Sequence, residues 1–193
     1  FFFDHCFYMH IVGITGSLRK ASTNTGILRA MRQKIPAPHT MEIIVPDLPL
    51  FNKDVEDAGA PASVIAFREA LKKADAFVFA TCEYNFSLSA AMKNALDWGS
   101  RGDGGNLFDD KPAAVVSAGG GTGGLRAQQH IRDIALFLNL HFMNKAEVQL
   151  KIFTNPSPFD SATGDLVHEE SVARCEKSLH ALIEWTQRLN ASK

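Results

Sequence analysis

The segment His10–Thr15 is apolar and β-branched almost throughout, and it runs through Gly16 into a loop rich in hydroxyl side chains. A run of this character is a strand buried on both faces, as in a parallel sheet. Residues 24–34 follow with Ile27, Leu28, Met31 and Ile35 at helical spacing, closed by Pro36 and Pro38. A strand entering a helix through a short polar loop points the helix's unpaired N–H groups and positive dipole end back at that loop. The loop is therefore a candidate anion site, made of the hydroxyls of Ser17, Ser22, Thr23 and Thr25, the amide of Asn24 and the guanidinium of Arg19. It lacks the Gly-Lys-Ser/Thr ending of a triphosphate loop and an adjacent acidic residue for magnesium, so a terminal monophosphate suits it better. The alternative is a solvated turn with an ordinary helix cap.

The pattern then repeats. Residues 41–45 form a second, short β-branched strand, and residues 47–59 are punctuated by Pro49, Asn52, Asp54 and Gly59 as an irregular loop. Pro61 opens a helix ending near Lys73, with Val64, Phe67, Leu71 and Ala74 on one stripe. Ala76–Thr81 is a third strand, residues 82–87 a polar and aromatic loop, and residues 89–98 a helix with Met92, Ala95 and Leu96 inward. After a glycine-rich acidic loop at 101–110, residues 113–118 make a fourth strand and residues 119–124 are nearly all glycine. Leu125–Leu138 is a helix, residues 142–150 hold a fifth strand, residues 155–158 break the chain, and residues 169–189 form a closing helix. Five strands alternating with helices indicate an α/β fold, an open parallel sheet covered on both faces. Ligands in such sheets sit beyond the carboxyl ends of the strands, so the loops after strands one, three and four share one rim.

The length of 193 residues fits one domain, placed at residues 10–193, and the 46% hydrophobic content supplies its core. Residues 1–9 read as an N-terminal extension, with Met9, just before the first strand, as the expected native start. Lys and Arg (20) nearly balance Asp and Glu (21), which leaves no broad field to hold a nucleic acid or an anionic membrane surface. No apolar run approaches the roughly 20 residues of a membrane span. Cys6, Cys82 and Cys175 are few, odd in number and far apart, which argues against a disulfide framework or zinc site and favours a reducing, cytoplasmic setting. The seven histidines show no metal-ligand spacing, so no metal is expected.

On the shared rim, Cys82, Glu83, Tyr84, Asn85 and Phe86 combine hydrogen-bonding groups with two aromatic rings, a composition suited to a flat heteroaromatic ligand or, equally, to loop packing. Glu83 is either a titrating group beside a ring or an acceptor for backbone N–H groups. Gly119, Gly121 and Gly124 satisfy G-x-G-x-x-G, but they follow the fourth strand and not the first, without a matching acidic residue, so a dinucleotide fingerprint is not assigned. Bare backbone at Gly119 and Gly120 does allow close approach of a planar ligand. His130 and His180 fall on helices and read as surface or satisfied core residues. No Ser-His-Asp set supports a hydrolase, and no catalytic side chain is assigned.

Three segments resemble the NAD(P)H-dependent FMN reductase family of flavodoxin-like proteins, which includes quinone, azo-dye and chromate reductases. Residues 16–24 (GSLRKASTN) are similar to the family's G-S-x-R-x-x-S-x-N phosphate loop. Residues 83–87 (EYNFS) with 93–98 (KNALDW) resemble its E-Y-N-x-S and K-N-A-I/L-D-W segments, and residues 117–128 its glycine loop and following helix. Cys82 and Ser89 depart from the family, which commonly has Pro at both.

The resemblance implies a three-layer flavodoxin-like sandwich with strand order 2-1-3-4-5. It implies that Ser17, Arg19, Ser22, Thr23, Asn24 and Thr25 surround the FMN phosphate. Cys82 to Phe86 would line the isoalloxazine, with Ser117, Gly119 and Gly120 along its other edge. The implied activity is hydride transfer from NADPH or NADH to flavin and then to a quinone-like small-molecule acceptor in the same place. It also implies a homodimer or homotetramer, with the helix at 89–98 a candidate interface. An electron carrier without substrate turnover and a cofactor-free anion-binding module are the rival readings.

Overall fold

A computed structural model describes residues 8–102 and 104–191. The expected extension falls mostly on residues 1–7, outside the described residues. Met9 is part of the core, fully buried, and its carbonyl accepts from Thr40 N–H at 2.9 Å.

Parallel strands β1 (His10–Thr15), β2 (Thr40–Ile44), β3 (Ala76–Thr81) and β6 (Pro112–Gly119) carry the sheet. Two short segments, β7 (His141–Phe142) and β8 (Val148–Lys151), pair one after the other along the far side of β6. Together they fill the fifth position, so the order β2-β1-β3-β6-β7/β8 is the flavodoxin-like 2-1-3-4-5. The single fifth strand expected over 142–150 is thus interrupted. Residues 143–147 leave the ladder, with Ala146 at a φ of 60°.

Alternation along each strand sends neighbouring side chains to opposite faces. Ile11, Val78, Ala80 and Val116 pack with α1 (Thr23–Gln33) and α6 (Glu169–Asn190) through Ile27, Leu28, Met31, Leu179 and Leu182. Val12, Ile14, Phe77, Phe79 and Val115 pack with α3 (Ala62–Lys72), α4 (Ala90–Gly99) and α5 (Leu125–Leu138) through Phe67, Leu71, Met92, Trp98 and Ile131. Phe108 completes this second core in edge contact with Phe77, ring centroids 5.3 Å apart.

Two loops are more ordered than composition suggests. Within 47–59, Asn52 accepts from Asp54 N–H and caps a short helix, α2 (Lys53–Asp57), which Arg68 ties down by donating to Glu56 at 2.7 Å and to the Trp98 carbonyl at 3.0 Å. Within 82–87, strands β4 (Glu83–Tyr84) and β5 (Ser87–Leu88) form an antiparallel hairpin. Its two-residue turn places Asn85 and Phe86 at φ of 51° and 64°, the left-handed pair that a tight hairpin requires.

Candidate functional site

The carboxyl ends of β1, β3 and β6 open together into a cavity of about 650 Å³. Ser17, Arg19, Ser22, Thr23 and Asn24 form one wall, Cys82 to Phe86 a second, and Ala118 to Gly121 a third. Ile152 and Phe153 close the remaining side.

The first wall follows from the cap of α1. Ser22 has extended backbone and its hydroxyl accepts from Thr25 N–H at 3.1 Å, which starts the helix and leaves the N–H groups of Thr23 and Asn24 without an intrahelical acceptor. These donors, the Ser17 hydroxyl and the exposed Arg19 guanidinium make a site for a phosphate dianion.

Asn24 plays a different part from the other residues of that loop. Its side chain donates to the Ala118 carbonyl at 3.0 Å and accepts from Ala118 N–H at 2.8 Å, so it joins the phosphate loop to the end of β6. Thr25 turns away from the cavity and donates to the Thr15 hydroxyl at 3.1 Å.

A second clamp acts from behind. Arg29 donates to the Asp165 carboxylate at 2.5 Å and to the Thr163 carbonyl at 3.0 Å. Gly164, at a φ of 72°, lies against Ala21 and Ser22, and a Cβ on Gly26 would sit 1.9 Å from the Gly164 carbonyl oxygen. The loop at 160–166 therefore rests directly on the α1 N-terminus. The Arg29 hydrogen bond, helped by Thr163, holds the Asp165 carboxyl below the usual aspartate range.

The second wall is the hairpin. Glu83 Oε2 accepts from the N–H groups of Arg126 and Ala127 at 3.0 and 3.3 Å, capping α5 where its own N-cap residue, Gly124, offers no side chain. Glu83 is thus an acceptor for backbone N–H groups, and it docks the hairpin on α5. His130 also reaches the hairpin, with Nδ1 2.9 Å from Ser87 Oγ. Tyr84 and Phe86 are 58% and 63% exposed, and Phe153 across the cavity is 85% exposed. Burial pushes the Cys82 thiol above its ordinary range.

The third wall is bare backbone. Ser117 is buried and does not face the cavity. Its hydroxyl donates to the Gly123 carbonyl at 2.6 Å and accepts from Gln128 Nε2 at 2.7 Å, which folds the glycine loop back onto the strand end. Gly124, at a φ of 91°, would place a Cβ 2.7 Å from Ser117 Cβ.

Of the fourteen site residues inferred from sequence, all but Thr25 and Ser117 line the cavity. Ala118, Gly121, Ile152 and Phe153 also line it. The last two follow β8, whose broken pairing hides where the fifth strand ends.

The family model described as NADPH-dependent FMN reductase matches residues 9–155. A probable NADPH:quinone oxidoreductase of Oryza sativa subsp. japonica is 46% identical over 187 residues, covering 94% of this chain and 93% of that protein. The quinone reductase of Escherichia coli K12 is 34% identical over 190 residues, covering 94% and 97%. Among solved structures, the flavoenzyme NAD(P)H:(acceptor) oxidoreductase FerB of Paracoccus denitrificans superposes with a TM-score of 0.80 at 27% identity, over 93% of this chain and 98% of that one.

Proposed function

The chain belongs to the NADPH-dependent FMN reductase family, and from that premise we propose that its rim cavity holds FMN and passes electrons from NAD(P)H to quinones. The observation that carries the site assignment is the pairing of a phosphate-type helix N-terminus with a flat, glycine-floored and aromatic-edged space in one cavity. Ser17, Arg19, Ser22 and the N–H groups of Thr23 and Asn24 hold the phosphate. Asn85, Cys82 and the backbone of Gly119 and Gly120 border the ring. Bound there, FMN supplies the hydride chemistry that couples nicotinamide oxidation to quinone reduction.

The side chains of this chain bind and orient. Asn24 and the Arg29–Asp165 pair fix the phosphate loop against β6 and the 160–166 loop. Glu83 fixes the hairpin through α5. Tyr84, Phe86 and Phe153 offer apolar faces to a donor or acceptor ring entering from the open side. No proton-transfer role is required of them, since Glu83 is engaged as a helix cap.

Among the described residues no helix is long and apolar enough to cross a membrane. We read the working form as a cytoplasmic homodimer or homotetramer. Supporting association, Leu136 and Phe137 stand 86% and 82% exposed side by side at the end of α5. The exposed face of α4 instead carries the Lys93–Asp97 ion pair at 2.6 Å, a solvated pattern.

Steady-state oxidation of NADPH by a small benzoquinone tests the function. Turnover proportional to bound FMN is expected. Full FMN occupancy without turnover would assign the chain to electron carriage instead, and failure to take up FMN would leave only an anion-binding module.

A further inference from the structure

We propose that Arg126 reads the 2′-phosphate of NADPH at the mouth of the cavity and thereby sets a preference for NADPH over NADH, an inference that rests on the flavin reading above. Arg126 is the second residue of α5 and is exposed. Its guanidinium carbon lies 3.7 Å from the centroid of the Phe86 ring, the shortest such separation among the described residues. A separation that short seats the cation over the ring face and leaves the N–H donors around its perimeter open to an anion. Among the described residues the guanidinium enters no ion pair. The Glu83 carboxylate is engaged by the backbone N–H groups of Arg126 and Ala127.

The support under this arginine is unusual. Phe86 is a bulky aromatic at a φ of 64°, a conformation that L side chains rarely adopt, at the tip of a hairpin that lines the cavity. Stacking on Phe86 immobilises the long Arg126 side chain before any ligand arrives, which lowers the entropy lost on binding. Arg19 and Arg126 are then two separate cationic points, one on the β1–α1 loop for the flavin phosphate and one on the hairpin side. A nicotinamide ring stacked within the cavity must lead the rest of the dinucleotide out over the rim. NADPH and NADH differ there only by one phosphate dianion, which suits a planar, preset fork.

The test uses FMN-loaded protein and three variants, Arg126→Ala, Arg126→Lys and Phe86→Ala. Bound flavin, quantified from its absorbance, confirms an intact site in each. In Arg126→Ala the NADPH-to-NADH ratio of kcat/KM is expected to fall about tenfold, the loss typical of one charge-assisted phosphate contact. Arg126→Lys and Phe86→Ala are expected to fall between, since each retains charge but loses the fork or its support. Independently of turnover, 2′,5′-ADP is expected to bind the wild type at least about tenfold more tightly than 5′-AMP, and Arg126→Ala is expected to abolish that difference. In Arg126→Ala, an unchanged ratio with normal flavin content, or equal loss for both donors, overturns the proposal while leaving the flavin reading intact. Protein that takes up no FMN overturns both.

Discussion

The Cys82 thiol and the Ser89 hydroxyl donate to one acceptor, the buried carbonyl oxygen of Gly16, at 3.1 and 2.6 Å. The family resemblance implies proline at both positions. Ser89 also caps α4 by accepting from Met92 N–H at 3.1 Å. Phosphate loop, ring loop and α4 are thereby joined at a single oxygen.

A shared acceptor makes the two substitutions interdependent. Ser89→Ala should lower stability by about 1–2 kcal/mol, chiefly through the cap, and Cys82→Ala by less. The double variant should lose at least about 0.5 kcal/mol more than the sum, because only then is the buried Gly16 oxygen left unpaired. Urea unfolding of the four proteins checks this, and strict additivity would contradict the shared bond.

Asn24 and Arg19 should separate stability from cofactor binding. Asn24→Ala strands the buried N–H and carbonyl of Ala118, with an expected loss of about 2–4 kcal/mol. Arg19 is exposed, and Arg19→Ala should change stability by less than about 0.5 kcal/mol while weakening FMN. Denaturant midpoints with and without FMN distinguish them; a stable Asn24→Ala protein would remove its bridging role.

Much of this was legible in the chain, and the reasons are local. β1, β3 and α5 run as the sequence indicates, because the continuous apolar runs of the two strands and a helical stripe ending at Leu138 each point to one element. The fifth strand was harder, since Asn144, Lys145 and Glu147 interrupt a run that pairs with β6 on either side of them. The hairpin at 83–88 carries no glycine, and its left-handed turn is signalled by Asn85 alone, with Phe86 against type at the second position. Motif matching also treats every polar residue of a phosphate loop alike. Only the three-dimensional arrangement separates Ser17 and Arg19, which face the cavity, from Asn24, Thr25 and Ser117, whose side chains brace it.

Glu83 should behave as a structural acceptor. Glu83→Gln retains an oxygen for the α5 N–H groups, so turnover should persist across the pH range. Glu83→Ala should lower stability by about 1 kcal/mol. A limb of the kcat–pH profile lost only in Glu83→Gln would instead make this carboxylate a proton-transfer group.

The 160–166 loop should contribute stability that depends on acid. Because the native Asp165 carboxyl is held below its ordinary value of 3.8, its contribution is present above that value and is lost as pH falls through the depressed one. Wild type should therefore lose more stability than Asp165→Asn between pH 4 and more acid solution, as read by unfolding at a series of pH values. Gly26→Ala should be destabilised by more than about 2 kcal/mol at any pH, because its Cβ meets backbone and not a mobile side chain. Equal acid profiles for wild type and Asp165→Asn would contradict the first expectation.

The most direct test of the site is an equilibrium titration of flavin-free protein with FMN and with riboflavin, which differ by the phosphate alone. FMN is expected to bind at least about 100-fold more tightly, from two or more charge-assisted contacts at the α1 N-terminus, and Arg19→Ala is expected to narrow that gap. Equal affinity for the two flavins would contradict a phosphate grip at Ser17, Arg19 and Ser22.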